Sequence, residues 1–343
     1  MEIALFTADA PLGDALHTLL EAQAPGTSRR FSLPMAGPGD ALGMDRMIQQ
    51  GTSLAGVRRA WIQGHAHQNP VVPDPAEGVD WGLWQVDYLA RQQRESARMS
   101  LLQEMERRGV RMFNGFAAYQ AGFHLYASLE RLRGAGLAIP PLLCANDPQE
   151  ARAFLDAHSR VVWHPASGRG AWQLFRPKQL KALLETDPAP TPLLLAPARE
   201  GTLCHAYLVG GTLQLLLGQD APSNQPGEER LEQFWRLPIP ERLRLPLERA
   251  AALLHADWLL IRLVDGPGGP WIYDFDPDPV LNDLPPPFRD ALLRLLAHAL
   301  LGGEGPLPAL PPQGEPHQRP ALFVRRMLCL LFDLEASKGR DDG

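Results

Sequence analysis

WIYDFDPDPVLND, running from Trp271 to Asp283, is the stretch that decides the fold, and HADWLLIRLV, from His255 to Val264, has to be read with it. Two apolar runs, Trp258 to Val264 and Trp271 to Phe275, flank the turn-forming string DGPGGP, so the segment predicts a β-hairpin. Asp274 and Asp276 stand two residues apart on its second strand and therefore share a face. A second hairpin lies upstream, where Leu203 to Val209 and Thr212 to Leu217 are separated by Gly210-Gly211. Paired glycines supply the positive φ angles that a two-residue turn needs.

Further upstream, VVWHPASGRG (Val161 to Gly170) reads as a strand followed by a glycine-bearing loop. Leu193 to Leu195 is a short strand and Pro177 to Glu185 a helix. Before them comes ANDPQEARAFLDAH, in which Asp147 can cap a helix, Pro148 suits its first position and Glu150 follows three residues after the cap. Phe116 to Ala135 predicts one helix that stops at Gly136. At the N-terminus, strands at Glu2 to Thr7, Val57 to Ile62 and Val110 to Phe113 alternate with helices at Pro11 to Ala22 and Leu83 to Arg108, the pattern of an α/β unit that closes near Asn114. Beyond the second hairpin, Pro240 to His255 and Phe288 to Leu301 are helical. Asp220 to Arg236 is polar and turn-rich, and Gly302 to Gln318 is a Pro/Gly linker. Ala321 to Glu335 predicts a last helix too apolar to stand alone in water, which needs the body, a second copy of the chain or a partner enzyme to cover it.

Composition narrows the classes. At 343 residues the chain suits two or three packed subdomains, and 34 prolines are about twice the usual share. A formal charge of -6 argues against nucleic acid as a partner, because phosphate binding needs a basic surface. Cys144, Cys204 and Cys329 are far apart, which suggests neither a disulfide framework nor a cysteine zinc site. No run approaches the ~20 apolar residues of a membrane span, and the first residues do not read as a signal peptide, so a cytoplasmic protein is expected. GxSxG, Walker, Rossmann and HExxH signatures are all absent.

From about Arg108 to Leu301 the order of these strings resembles the glutathione synthetase and ribosomal-protein glutamate ligase (RimK-like) branch of the ATP-grasp superfamily. RRGVRMFNG, LRGAGLAIPPLLCANDPQEARAFL, VVWHPASGRG and HADWLLIRLV with WIYDFDPDPVL carry the likeness. It implies an ATP-grasp-like α/β and α+β fold. Residues 1–114 would form an N-terminal α/β domain, and 115–305 an ATP-grasp-like domain whose two α+β subdomains, 115–192 and 193–305, enclose a cleft. Residues 306–343 would be a linker and docking helix. The activity implied is joining a peptide or small-metabolite carboxylate to an amine through an acyl phosphate, with ATP and magnesium.

Such ligases set two lysines on the phosphates and acidic residues on the metal, because phosphoryl transfer depends on positioning and charge neutralisation. This sequence departs at four of those places. The first lysine position falls at Leu125 or Tyr126 and the second at His164; an arginine position falls at His205; and the first metal-binding acid falls at Arg262. Asp274 and Asp276 stand where the family has Glu and Asn, and so imply the metal ligands. Gly168, Arg169 and Gly170 imply phosphate contacts, with Arg169 and His164 in place of the lysines, and Ala196 and His205 complete the nucleotide set. The departures also admit a catalytically impaired homologue that binds a peptide or partner.

Each residue has a plainer reading. The acids can be a solvated hairpin end, His164 a strand cap, and Arg169 a surface arginine. His65 and His67 have no third ligand nearby, and His124 suits a helix surface. Trp81, Trp84 and Tyr88 are expected to pack the long helix on the N-terminal unit, while Arg91, Arg94, Arg98, Arg107, Arg108 and Arg111 form a solvated face paired with Glu95, Glu104 and Glu106.

Overall fold

The computed structural model describes residues 2–33, 39–43, 46–64, 80–166, 172–175, 192–219 and 233–318. The expected helices at Pro177 to Glu185 and Ala321 to Glu335, the loop with Gly168, Arg169 and Gly170, and the pair His65 and His67 lie outside these residues.

The N-terminal unit begins with β1 (Ile3–Thr7), α1 (Ala10–Gln23) and β2 (Ser28–Phe31). A small antiparallel sheet follows, made of β3 (Ala41–Leu42), β4 (Met47–Gln49) and β5 (Thr52–Ser53), and then come β6 (Arg59–Gln63), α2 (Trp81–Arg107) and β7 (Arg111–Phe113). Four of these strands form a parallel sheet in the order β2-β1-β6-β7. β1 is buried on both faces: Ile3 and Leu5 join one core and Ala4 and Phe6 another. The helix α1 starts where Asp9 accepts the Leu12 N–H at 2.9 Å, and it buries Leu12, Leu16 and Leu20 at four-residue spacing. Strand β2, whose sequence is SRRF, was not expected, because its two arginines mask the apolar alternation.

The expected helix from Phe116 to Ala135 is two helices, α3 (Phe116–Phe123) and α4 (Leu125–Gly134), broken at His124. The break sets Leu125, Leu129 and Leu132 into one core while Tyr119 of α3 faces another. His124 is exposed, as expected. After them, β8 (Leu143–Ala145), α5 (Pro148–Ala157), β9 (Val161–Pro165), β10 (Gln173–Leu174) and β11 (Leu193–Pro197) build a four-stranded sheet ordered β10-β9-β11-β8. The predicted cap of α5 is present, with the Asp147 carboxylate accepting the Gln149 N–H at 2.7 Å.

Both predicted hairpins form. Strands β12 (Thr202–Val209) and β13 (Thr212–Gln219) turn at Gly210 and Gly211, whose φ angles are +65° and +79°. After β14 (Gln233–Arg236) and α6 (Glu241–Leu253) come β15 (Trp258–Gly266) and β16 (Gly269–Asp276). Helix α7 (Pro286–Leu300) and β17 (Pro316–Gln318) follow. The sheet order is β16-β15-β12-β13-β14-β17. Two of its strands correct the expectation: β14 ends the segment read as turn-rich, and β17 ends the one read as a linker, because Phe234 and His317 pair across the edge. One face of this sheet packs on α4 and α6. The other shares a core with α7, α1 and β1, in which Phe288, Leu292 and Leu296 are fully buried. Each such side chain contributes about 1.5–3 kcal/mol relative to exposure.

The aromatic residues at the start of α2 do not pack on the N-terminal unit. Trp81 and Tyr88 are exposed, and Trp84 instead stacks on Tyr88 with centroids 5.3 Å apart. Among the arginines, Arg98 meets Glu95 at 2.7 Å and Arg107 and Arg108 meet Glu104 at 2.7 and 2.6 Å, but Arg98 is buried rather than solvated. Glu106 pairs with no arginine of that run and accepts the Phe116 N–H at 3.0 Å. No described helix is long and apolar enough to cross a membrane.

Candidate functional site

The antiparallel register of β12, β15 and β16 aligns His205, Arg262 and Asp274 in one row, three strands wide. A register shift after Arg262 lets Ile272 and Phe275 both enter the helix-covered core. It leaves Asp274 and Asp276 on the opposite face. There the Arg262 Nη1 donates to Asp274 Oδ1 at 2.8 Å, and its Nη2 lies 3.7 Å from Asp276 Oδ2. Arg262 thus points at the two acids, the direction in which it opposes a cation.

The three side chains differ in solvent access. Asp274 is 2% exposed, while Arg262 and Asp276 retain 26% and 28%. Burial works against the guanidinium charge, but Asp274 and Asp276 outweigh it and hold Arg262 more firmly protonated than a free arginine. Asp276 Oδ1 accepts the Asp278 N–H at 2.9 Å. Asp274 Oδ2 is buried and has no hydrogen-bond partner. An ionised oxygen left in that condition is costly, and a ligand that supplies positive charge or a proton relieves it.

Asp278 has a different task. Its two carboxylate oxygens accept the Gly64 N–H at 3.1 Å each, tying the end of this segment to the N-terminal sheet. Asn114 makes a second tie: its Oδ1 accepts the Trp258 N–H at 2.8 Å, and its amide donates to the Pro277 carbonyl at 2.6 Å and to the Trp258 carbonyl.

His164 sits on β9, fully buried, with Nδ1 2.7 Å from the Pro165 carbonyl oxygen. Its ring lies 5.3 Å from Trp172, and Trp172 meets Tyr273 edge-on at 5.6 Å. Tyr273 also donates its hydroxyl to the Pro197 carbonyl at 2.8 Å, and burial raises its pKa to about 12. These contacts bring the strand of His164 to the strand of Asp274. Ala196 is buried on β11 opposite Val162. His205 is half-buried, with its ring edge-on to Phe234 at 5.5 Å.

At the positions where phosphate-binding lysines were sought, Leu125 is a core residue and Tyr126 an exposed one. The chain's lysines are Lys178, Lys181 and Lys338, all outside the described residues. Trp172 and Tyr273 were not singled out from the sequence. Only the alternation of Trp271 and Tyr273 along β16 signalled that this strand carries an aromatic contact.

No protein-family profile matches the sequence, and no curated protein matches it. Solved structures do. One is the ATP-grasp ligase PsnB, complexed with a phosphomimetic variant of minimal precursor, Mg and ADP. It superposes at TM-score 0.69 with 19% identity, over 81% of this chain and 90% of that one. The fold is the ATP-grasp fold. The macrocyclase MdnC bound with precursor peptide MdnA, from Microcystis aeruginosa MRC, shares it at TM-score 0.67 and 15% identity, over 88% of this chain and 99% of MdnC. D-alanine–D-alanine ligase from Bacillus anthracis, complexed with ATP, shares it at TM-score 0.54 and 11% identity, over 88% and 94%.

Among the described residues, Asp274 and Asp276 are neighbouring carboxylates whose oxygens suit a hard cation. Among the described residues no group of three or more His, Cys, Asp or Glu side chains gathers to hold a metal. The unpartnered Asp274 oxygen fits a magnesium ion that takes its remaining ligands from phosphate and water.

Proposed function

We propose that this chain is an ATP-dependent carboxylate-amine ligase that acts on a peptide through an acyl phosphate. The observation that carries the reading is the buried, unpartnered Asp274 oxygen beside Asp276, on the hairpin of an ATP-grasp fold. The peptide substrate is supported by the structural relatives, since PsnB and MdnC are complexed with precursor or precursor peptide. Asp274 and Asp276 would hold magnesium, which when bound would neutralise developing phosphate charge. Gly168, Arg169, Gly170 and His164 are the phosphate contacts in this reading, and Ala196 and His205 belong to the nucleotide side. Within the superfamily the strings from Arg108 to Leu301 favour the glutathione synthetase and RimK-like branch. In this reading residues 1–114, 115–305 and 306–343 are the functional divisions, the protein works in the cytoplasm, and Ala321 to Glu335 docks a second copy or a partner enzyme.

A second reading is favoured by the ion contact of Arg262 with both acids and by the lack of lysine at the phosphate positions. In it the chain binds peptide without ligating it.

One experiment separates the two: thermal midpoint and ADP release, measured with ATP, magnesium and a peptide carrying carboxylate and amine side chains. A ligand that binds only the folded state raises the midpoint. Ligation predicts a raised midpoint and peptide-dependent ADP release. An unchanged midpoint with ATP and magnesium at millimolar concentration, from pH 6 to 8, overturns the ligase.

A further inference from the structure

We propose that Arg262 is a tethered cation that takes the place of one metal ion, so that this site admits a single divalent ion, and admits it only together with phosphate. The inference rests on the assignment of Asp274 and Asp276 as metal ligands and deepens it. Before nucleotide adds its own charge, two carboxylates and one guanidinium leave one net negative charge, too little to hold a free divalent ion. The oxygens are also largely engaged. Asp274 Oδ1 and Asp276 Oδ2 face Arg262, and Asp276 Oδ1 accepts the Asp278 N–H. That leaves Asp274 Oδ2, on a side chain only 2% exposed, as the oxygen without a partner. Magnesium and manganese favour about six oxygen ligands, so the one or two oxygens that Asp274 and Asp276 can offer hold the ion only when nucleotide phosphate and water provide the others. Arg262, fixed by β15 in register with Asp274, also repels any second ion at the distance of its own contact.

Manganese in place of magnesium makes the ion countable by electron paramagnetic resonance, and calorimetry gives its affinity. Wild-type protein is expected to hold no manganese at sub-millimolar concentration when nucleotide is absent, and one ion per chain with the non-hydrolysable ATP analogue AMPPNP. Arg262→Met is expected to raise the affinity for free manganese on the order of tenfold or more at pH 8. Arg262→Lys, which keeps the charge, is expected to behave as wild type. Two bound ions per chain in the wild type with AMPPNP overturn the proposal. So does a folded Arg262→Met protein whose affinity for free manganese equals that of wild type. Should Arg262→Met not fold, Arg262→Gln provides the neutral comparison and the wild-type ion count still decides. A wild-type protein that binds no AMPPNP defeats the ligase reading instead, and the affinity for free manganese in the neutral variant then decides the role of Arg262.

Discussion

Asp274 and Asp278 are four residues apart, both acidic and both almost wholly buried, yet Asp278 joins two parts of the molecule while Asp274 keeps one oxygen without a partner. Asp278 spends both oxygens on the Gly64 N–H and, together with Asn114, fastens the end of β16 to the N-terminal sheet. Asp274 spends one oxygen on Arg262 and leaves the other without a partner. Buried polar groups in folded proteins are nearly always satisfied. The satisfied acid therefore reads as architecture, and the unsatisfied one carries the oxygen that the proposed magnesium ion would complete.

Mutation can break this contrast, and the largest effect is expected at the joint. Asn114→Ala removes the acceptor of the Trp258 N–H and the donor to two buried carbonyls, at a cost of roughly 2–4 kcal/mol in urea denaturation. A loss under about 1 kcal/mol would show that the two sheets do not depend on this tie. Asp278→Ala strips the Gly64 N–H of its carboxylate and is expected to cost about 1–3 kcal/mol, without altering any nucleotide affinity. If it abolished nucleotide binding in a folded protein, the division between joint and site would be wrong.

Smaller changes are expected in the charged row. Asp274→Asn keeps an oxygen for Arg262 and puts an amide where the unpartnered oxygen stood, so stability should fall by about 1 kcal/mol or less while metal-dependent nucleotide binding falls sharply. Asp276→Asn, more than a quarter exposed, should stay within about 0.5 kcal/mol of wild type.

The smallest effect is alkaline. Tyr273 has its pKa raised to about 12 in the folded chain, chiefly by burial. A raised pKa means that its contribution to stability is complete below the ordinary tyrosine value of ~10 and is lost as pH rises toward 12. Stability measured by denaturation across that window should fall in wild type and fall less steeply in Tyr273→Phe, since Tyr119 keeps its own raised pKa; identical slopes would remove Tyr273 from the contact between sheets.

Legibility followed the range of the interactions. The hairpins could be read because Gly210-Gly211 and DGPGGP act within a few residues, and the α5 cap because Asp147, Pro148 and Glu150 are adjacent. Strand β2 was hidden because it owes its place to pairing with β1, not to its own SRRF sequence. The helix break at His124 was equally silent, since Leu125 and Tyr119 face cores assembled from distant segments. At the site, the residue types at 262, 274 and 276 were visible, but not that Arg262 grips both acids, because that depends on strand register and on the shift after Arg262. The contact of Trp172 with Tyr273 joins segments far apart in the chain, so the aromatic alternation on β16 could not name its partner.

The core shared by α1, β1, β12, β15 and α7 carries a consequence for how the molecule comes apart. Ile3, Leu5 and Trp61 are buried in the same cluster as Trp258, Leu260 and Phe288, whereas Ala151, Val161, Phe175, Leu193 and Leu195 form a small cluster of their own under the four-stranded sheet. Asn114 thus marks a change of topology inside a shared core: a cut there would leave the N-terminal unit its second core, with Phe6, Ile62 and Leu102, but would open this one. Protease and hydrogen exchange should find their first opening at the four-stranded sheet, while the N-terminal unit and the six-stranded sheet let go together, as one cooperative body.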